Sequence, residues 1–167
     1  MKNKIISRPQ IKNLIKTLKK KGQKIVFTNG CFDLLHVGHV RYLQEARSLG
    51  DCLIIGLNSD RSVRQIKNPQ RPLISEDQRA EVLAALECID YIVLFDEAEP
   101  LKLIEEIRPA VLVKGADWSM NKIVGADLVR SYGGEVRRVE LVPMISTTTI
   151  IQRILSRYQG LLPEEAE

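Results

Sequence analysis

The chain has two histidines, and they stand three residues apart, as His36 and His39 in the stretch His36-Val37-Gly38-His39. At a helix start this spacing sets both imidazoles one turn apart on the same face. The helix end adds unpaired N–H groups and a partial positive charge, and Gly38 lets a bulky ligand come close to the backbone. Ring donors, backbone donors and a dipole together suit phosphate oxygens. Zinc would need further ligands, and no Cys or Asp/Glu cluster at ligand spacing supplies them, so no resident metal is expected. No GxGxxG run follows the first strand, which disfavours a dinucleotide site. A pair of structural histidines is the plainer alternative.

The histidines need elements that present them. Apolar periodicity predicts a helix from about Pro9 to Lys21, stopped by Gly22, and a buried strand over Lys24–Thr28. A helix over Val37–Leu49 and a strand over Cys52–Leu57 follow, then a polar, basic connection Ser59–Pro72 with a short helix at its start. Ser75 and Gln78 read as a capping box for a helix that runs to about Cys88. Three more strands are expected, Tyr91–Phe95, Val111–Val113 and Val136–Leu141, with helices Pro100–Ile107 and Gly125–Tyr132 between them. Ser146 caps a last helix that reaches about Tyr158.

This alternation predicts an α/β fold: a Rossmann-like doubly wound sheet of five parallel strands with helices on both faces. Such sheets bind ligands outside the carboxyl ends of their strands. Four polar segments should therefore share one rim: 29–39, 58–60, 114–118 and 143–148. The expected organisation is a basic helix packed on the domain (1–23), the domain itself (24–158) and an acidic tail (159–167).

Composition narrows the class. The 167 residues are 44% hydrophobic and 28% charged, enough for one core under an ordinary soluble surface. Cys31, Cys52 and Cys88 are too far apart and too few for a disulfide framework or a zinc ribbon. No apolar run approaches the ~20 residues of a membrane span, and the basic start lacks the apolar stretch of a signal peptide, so a cytoplasmic protein is expected. Nine of the 25 Lys and Arg fall in residues 1–24, with no Asp or Glu among them. Ile11, Leu14, Ile15 and Leu18 recur there at helical spacing, so the lysines read as a solvated face. No aromatics are interleaved for base stacking, and no nucleic-acid partner is expected.

The run Thr28-Asn29-Gly30-Cys31-Phe32-Asp33-Leu34-Leu35-His36-Val37-Gly38-His39 resembles the GxFDxxHxGH signature of the cytidylyltransferase-like nucleotidyltransferases. Ile145-Ser146-Thr147-Thr148 resembles their ISTT segment, and the likeness extends over about Lys24 to Leu155. Within that superfamily the chain is most similar to the D-glycero-β-D-manno-heptose 1-phosphate adenylyltransferases. Asn58-Ser59-Asp60 with Ser62-Val63-Arg64 resembles their NSDxSVR segment. Arg71-Pro72, Arg79-Ala80 and Val82–Leu86 resemble RP…RAxVLAAL, and Lys114–Trp118 resembles KGGDW. Two departures stand out: Ala116 replaces a glycine, and Met144-Ile145 replaces a glycine-bearing turn. The family often carries a sugar-kinase domain ahead of this one, and the sequence resembles the stand-alone form.

The reaction joins an α-phosphorus to a substrate phosphate, so it asks for positioning and charge stabilisation rather than a covalent nucleophile. His36 and His39 would donate to phosphate oxygens. Thr28, Asn29, Gly30 and Cys31 would bring backbone N–H groups near, with Phe32 packed under the loop and Asp33 orienting it. Ser146, Thr147 and Thr148 would hold the β- and γ-phosphates, a role compatible with a plain N-cap at Ser146.

The resemblance implies that Lys67 swings over the phosphates, with Arg71 and Arg79 nearby; the plainer reading of these, and of Arg64, is solvated surface charge. Lys114 and Gly115 are expected at phosphate or substrate, and Asn58 and Asp60 at substrate. Asp117 and Trp118 are expected at nucleoside or sugar, unless the Trp simply packs. Mg²⁺ is expected to arrive mainly on the triphosphate.

The preferred reading is ATP plus heptose 1-phosphate giving ADP-heptose for lipopolysaccharide or another surface polysaccharide, in a homodimer working with a separate sugar kinase. The rivals are the same chemistry on another pair, such as CTP with glycerol 3-phosphate or phosphoethanolamine, and a non-catalytic relative that binds nucleotide or nucleic acid.

Overall fold

Residues 4–159 are described in the computed structural model, so the expected tail, apart from Gln159, lies outside the described residues. The chain runs β1 (Ile5–Ile6), α1 (Arg8–Lys20), β2 (Ile25–Gly30), α2 (Val37–Ser48), β3 (Cys52–Asn58), α3 (Asp60–Ile66) and α4 (Glu76–Ala84). It continues through β4 (Tyr91–Phe95), α5 (Leu101–Ile107), β5 (Val111–Gly115), a 3₁₀ turn (Met120–Lys122), α6 (Ala126–Ser131), β6 (Glu135–Val139) and α7 (Thr147–Tyr158).

All strands pair in parallel, in the order β1-β4-β3-β2-β5-β6. The sheet therefore has six strands, not the five expected. The addition, β1, sets Ile5 and Ile6 beside Ile92 and Val93 at the sheet edge. Two residues are too few to show the period of two by which a strand is read.

Both faces are covered, so the central strands are apolar throughout: all seven residues of β3 are buried. Alternate residues feed two cores. Ile25, Phe27, Ile54 and Leu112 meet α1, α5 and α6 on one face. Val26, Leu53, Ile55 and Val113 meet α2 and α4 on the other. In α1 the buried residues are Ile11, Ile15 and Leu18. At roughly 1.5–3 kcal/mol for each large apolar side chain removed from water, these three suffice to hold the helix to the sheet with its lysines outside.

The capping chemistry differs from expectation in one place. Ser75 makes no side-chain cap bond, so the expected box with Gln78 does not form; the Glu76 carboxylate beside it accepts from the Asp60 N–H at 2.6 Å. The reciprocal contact forms at α1, where Gln10 accepts from the Ser7 N–H at 2.8 Å. Among the described residues no helix is long and apolar enough to cross a membrane.

From β2 the chain winds outward in both directions, to β3 and β4 on one side and to β5 and β6 on the other. The switch point lies between β2 and β5, where a crevice opens beyond the carboxyl ends.

Candidate active site

A cleft of about 750 Å³ occupies that crevice, within the size range of small-molecule sites. Its floor comes from the end of β2 and the loop to α2: Asn29, Gly30, Cys31, Phe32, His36 and His39. One wall, over β3 and β4, includes Asn58, Lys67, Arg71, Glu99 and Pro100. The other, over β5 and β6, includes Lys114, Asp117, Trp118 and Leu141, and ends with Ser146, Thr147 and Thr148.

His36 is the N-cap of α2, and its Nδ1 accepts the Gly38 N–H at 3.1 Å. An acceptor Nδ1 fixes the neutral ring as the Nε2–H tautomer, a donor. Gly38 is needed here, since a Cβ on it would fall 2.9 Å from the His36 ring. His39 stacks on His36, with centroids 3.9 Å apart, and meets the edge of Phe32. Its Nδ1 is sealed and unpartnered, so a second proton there would be buried without an acceptor. Burial lowers the pKa of both rings. His39, which also feels His36, is lowered to about 4. The pair is therefore neutral, presenting N–H donors rather than fixed charge.

Phe32 adopts φ 46° and is buried. Its ring lies 3.1 Å from where a Gly30 Cβ would stand, so the glycine makes room for it and the ring supports the loop from below. Thr147 Oγ1 donates to the Leu34 carbonyl at 3.5 Å, and the Ile145 side chain lies against Gly38. The two distant motifs thus meet in one place. Ser146 caps α7 by accepting the Thr149 N–H at 3.0 Å, and α7 aims its amino end into the cleft.

Four expected site residues work beneath or behind the ligand space. Asp33 lines the cleft, but its carboxylate accepts from the Arg71 guanidinium and from the N–H groups of Leu73 and Ile74. Burial opposes its ionisation, yet these donors outweigh it and hold the carboxyl below its usual range. Asp33 thereby ties down the loop that carries Arg71. Arg79 is 2% exposed. It donates to the carbonyls of Ile74, Cys31 and Asn58 and pairs with Asp60 at 2.7 Å. It clamps the ends of β2, β3 and α4 to one another, and with Asp60 it stays outside the cleft lining. Thr28 is fully buried, and its hydroxyl lies 2.6 Å from that of Tyr42. Arg64 is exposed and outside the cleft.

Lys114 donates to the side chain and carbonyl of Asn29 and lies over the Trp118 ring at 5.7 Å. Burial lowers its ammonium to about 8. Lys67 is the C-cap of α3, and among the described residues its ammonium has no hydrogen bond or ion pair, which leaves it free to reach a phosphate. Ala116 keeps a negative φ and is exposed, so replacing glycine there strains nothing.

Sequence reasoning missed Tyr42, Glu99 and Lys122. Tyr42 donates to the Val113 carbonyl at 3.1 Å and joins β2 to β5 under the histidines. Its place three residues after His39 on α2 was a signal within reach. Glu99 sits in a loop and Lys122 ends the short 3₁₀ turn, and neither stretch is long enough to show a periodicity. Among the described residues no group of three or more His, Cys, Asp or Glu could hold a metal ion.

Comparison with known proteins agrees with this geometry. The chain is 57% identical over 157 residues to the bifunctional protein HldE of Syntrophotalea carbinolica, covering 94% of this chain and 32% of that one. It thus spans about a third of that relative's length. The crystal structure of the lipopolysaccharide core biosynthesis protein from Thermoplasma volcanium GSS1 matches with TM-score 0.59 at 30% identity, over 72% of this chain and 98% of that one. The pantoate-beta-alanine ligase of Francisella tularensis shares the fold, with TM-score 0.64 at 18% identity, over 96% of this chain and 79% of that one. Residues 27–153 match the family model described as cytidylyltransferase-like, and the chain belongs to that family.

Proposed function

We propose that the chain is an adenylyltransferase that moves AMP from ATP to D-glycero-β-D-manno-heptose 1-phosphate, giving ADP-heptose and pyrophosphate. The observation that carries this reading is the meeting of the HVGH pair with the amino end of α7, through Thr147 and Leu34. The likeness to the bifunctional protein HldE and to a lipopolysaccharide core biosynthesis protein supports the sugar acceptor, as do the heptose-type stretches at 58–64, 71–86 and 114–118.

In this reading an oxygen of the sugar phosphate attacks the α-phosphorus, and the bond to the bridging oxygen of the β-phosphate breaks. The Nε2–H groups of His36 and His39 donate to oxygens whose charge grows in the transition state. The N–H groups and hydroxyls at Ser146–Thr148 hold the leaving pyrophosphate, and Lys67 closes over it. The apolar wall with Trp118, Leu141 and Ile145 suits the adenosine. The polar wall with Asn58, Lys67, Arg71 and Glu99 suits a hydroxylated, phosphorylated acceptor. Mg²⁺ carried on the triphosphate would offset the charge of the leaving group; among the described residues the cleft offers Glu99 and Asp117 as carboxylates without a hydrogen bond, which suits an ion ligated mostly by phosphate and water.

The chemistry belongs in the cytoplasm, where ATP is supplied, downstream of a kinase that phosphorylates the sugar at its anomeric carbon. The exposed face of α7, with Ile154, Leu155 and Tyr158, suits a second copy of the chain in a homodimer.

The test is pyrophosphate release with ATP and CTP side by side, across a panel of sugar and polyol phosphates. Turnover with ATP and the β-anomer of the heptose phosphate is expected. Turnover only with CTP, or only with glycerol 3-phosphate or phosphoethanolamine, overturns the assignment.

A further inference from the structure

The basic amino-terminal segment holds one residue whose contacts point toward the cleft. Arg8, the first residue of α1, is held by α5: its Nε lies 3.2 Å from both carboxylate oxygens of Glu106 and its Nη2 lies 2.9 Å from Oε1. Its remaining arm reaches the loop after β4, donating from Nη1 to Glu97 at 2.7 Å. All three side chains are about one-third exposed or less. Since α5 is anchored through Leu103, Ile104 and Ile107, Arg8 is a strut between a rigid helix and a loop.

That loop forms part of the active-site wall. Ala98, Glu99 and Pro100, which follow Glu97 directly, line the cleft. The Glu97 carbonyl accepts from the Ser62 hydroxyl at 2.8 Å, and that hydroxyl accepts from the Asn58 side chain at 2.9 Å. The strut thus continues through two hydrogen bonds to a residue on the cleft wall.

We propose that Arg8 is a positioning residue for the acceptor side of the cleft, holding the Ala98–Pro100 lip and the Asn58 side chain in register. The assignment of that side to the acceptor rests on the function proposed above. The driving force is the second oxygen of Glu97, which is sealed from solvent and, among the described residues, has no hydrogen-bond partner. With Arg8 in place the carboxylate shares the guanidinium's positive charge with Glu106. Without it, Glu97 keeps one oxygen sealed from water with no cation beside the carboxylate, and a partly desolvated charge is unfavourable until it reaches water. The loop relieves this by moving outward, and it carries the lip with it.

The experiment compares the full chain with Arg8→Ala and with Arg8→Ala/Glu97→Gln, which removes the stranded charge while keeping its shape. Steady-state pyrophosphate release should show the KM for heptose 1-phosphate raised roughly 2- to 30-fold in Arg8→Ala, the range for residues acting through packed networks. The KM for ATP should stay near wild type, and Glu97→Gln should restore most of the acceptor KM. Equal rises in both KM values, or no rescue, overturn the proposal. Amide hydrogen exchange at residues 98–99 reads the lip without catalysis. Faster exchange in Arg8→Ala, reversed in the double variant, supports it, and unchanged exchange sinks it. If the wild-type chain turns over no sugar phosphate, the function assignment falls while the exchange result still decides the strut.

Discussion

The rings of His36 and His39 lie stacked, with centroids 3.9 Å apart and planes inclined by 27°, and each has its Nδ1 removed from the ligand space. In His36 that nitrogen accepts the Gly38 N–H; in His39 it is sealed. Both Nε2–H groups are left for ligand. If they act on charge that develops during transfer, His36→Ala and His39→Ala should each lower kcat by about 10²–10³, the usual loss for one such donor. The dissociation constant for ATP should change far less. Steady-state pyrophosphate release with a separate ATP titration checks this. A raised KM at unchanged kcat would mean that the rings bind substrate and transition state alike.

The same burial makes the empty protein sensitive to acid. The folded pKa of His39 is about 4, against roughly 6.5 in an unfolded chain. Between those values the unfolded state binds more protons, so stability falls as pH drops from about 6.5 toward 4. His39→Gln should flatten that part of a plot of urea midpoint against pH. A bound triphosphate would favour the imidazolium, so ATP binding at pH 6 should take up protons. Calorimetry in two buffers of different ionisation enthalpy measures the uptake, and its absence would place the triphosphate away from this ring.

Lys114 provides the opposite test at high pH. Its ammonium is lowered to about 8 by burial and faces the cleft beside Asn29. Above that value the free protein loses a cation that an anionic ligand would use, so ATP affinity should weaken as pH rises from 7.5 to 9.5. Lys114→Met should bind more weakly at pH 7.5 and show little further change on going to 9.5. A parallel pH dependence in the variant would assign the effect to another group.

How far the residues announced all this depended on the range of the interactions. The strands of the central sheet were legible because burial on both faces forces continuous apolar runs. The rim was legible because the fold rule places every strand's carboxyl end together, so HVGH and ISTT needed only the right elements before them. Contacts that join distant loops were hidden. Asp33 was expected to orient its loop and Arg79 to lie near the phosphates, but the partners that fix both lie 5 to 48 residues away and could not be named.

The turn before Ser146 shows the reverse case, where a departure was visible but its meaning was not. Met144 stands at φ 63° and is 90% exposed. It occupies a left-handed position that glycine would favour, and no packing compensates it.

Arg79 separates structure from chemistry most cleanly. A guanidinium with no exposed side-chain surface, paired with Asp60 and bonded to three carbonyls, satisfies acceptors from three elements at once. Arg79→Met leaves Asp60 unpaired and the carbonyls of Cys31 and Asn58 without their donor. Breaking a buried pair from one side costs about 3–5 kcal/mol, so the urea midpoint should fall sharply. Lysine, a single point donor, should recover little of it, because it cannot reproduce the fork that spans β2 and β3. Activity in whatever fraction stays folded should persist, with the loss following the unfolded population across temperature. A variant that melts with the wild type yet fails to turn over would instead make Arg79 a ligand for substrate, as the resemblance first implied.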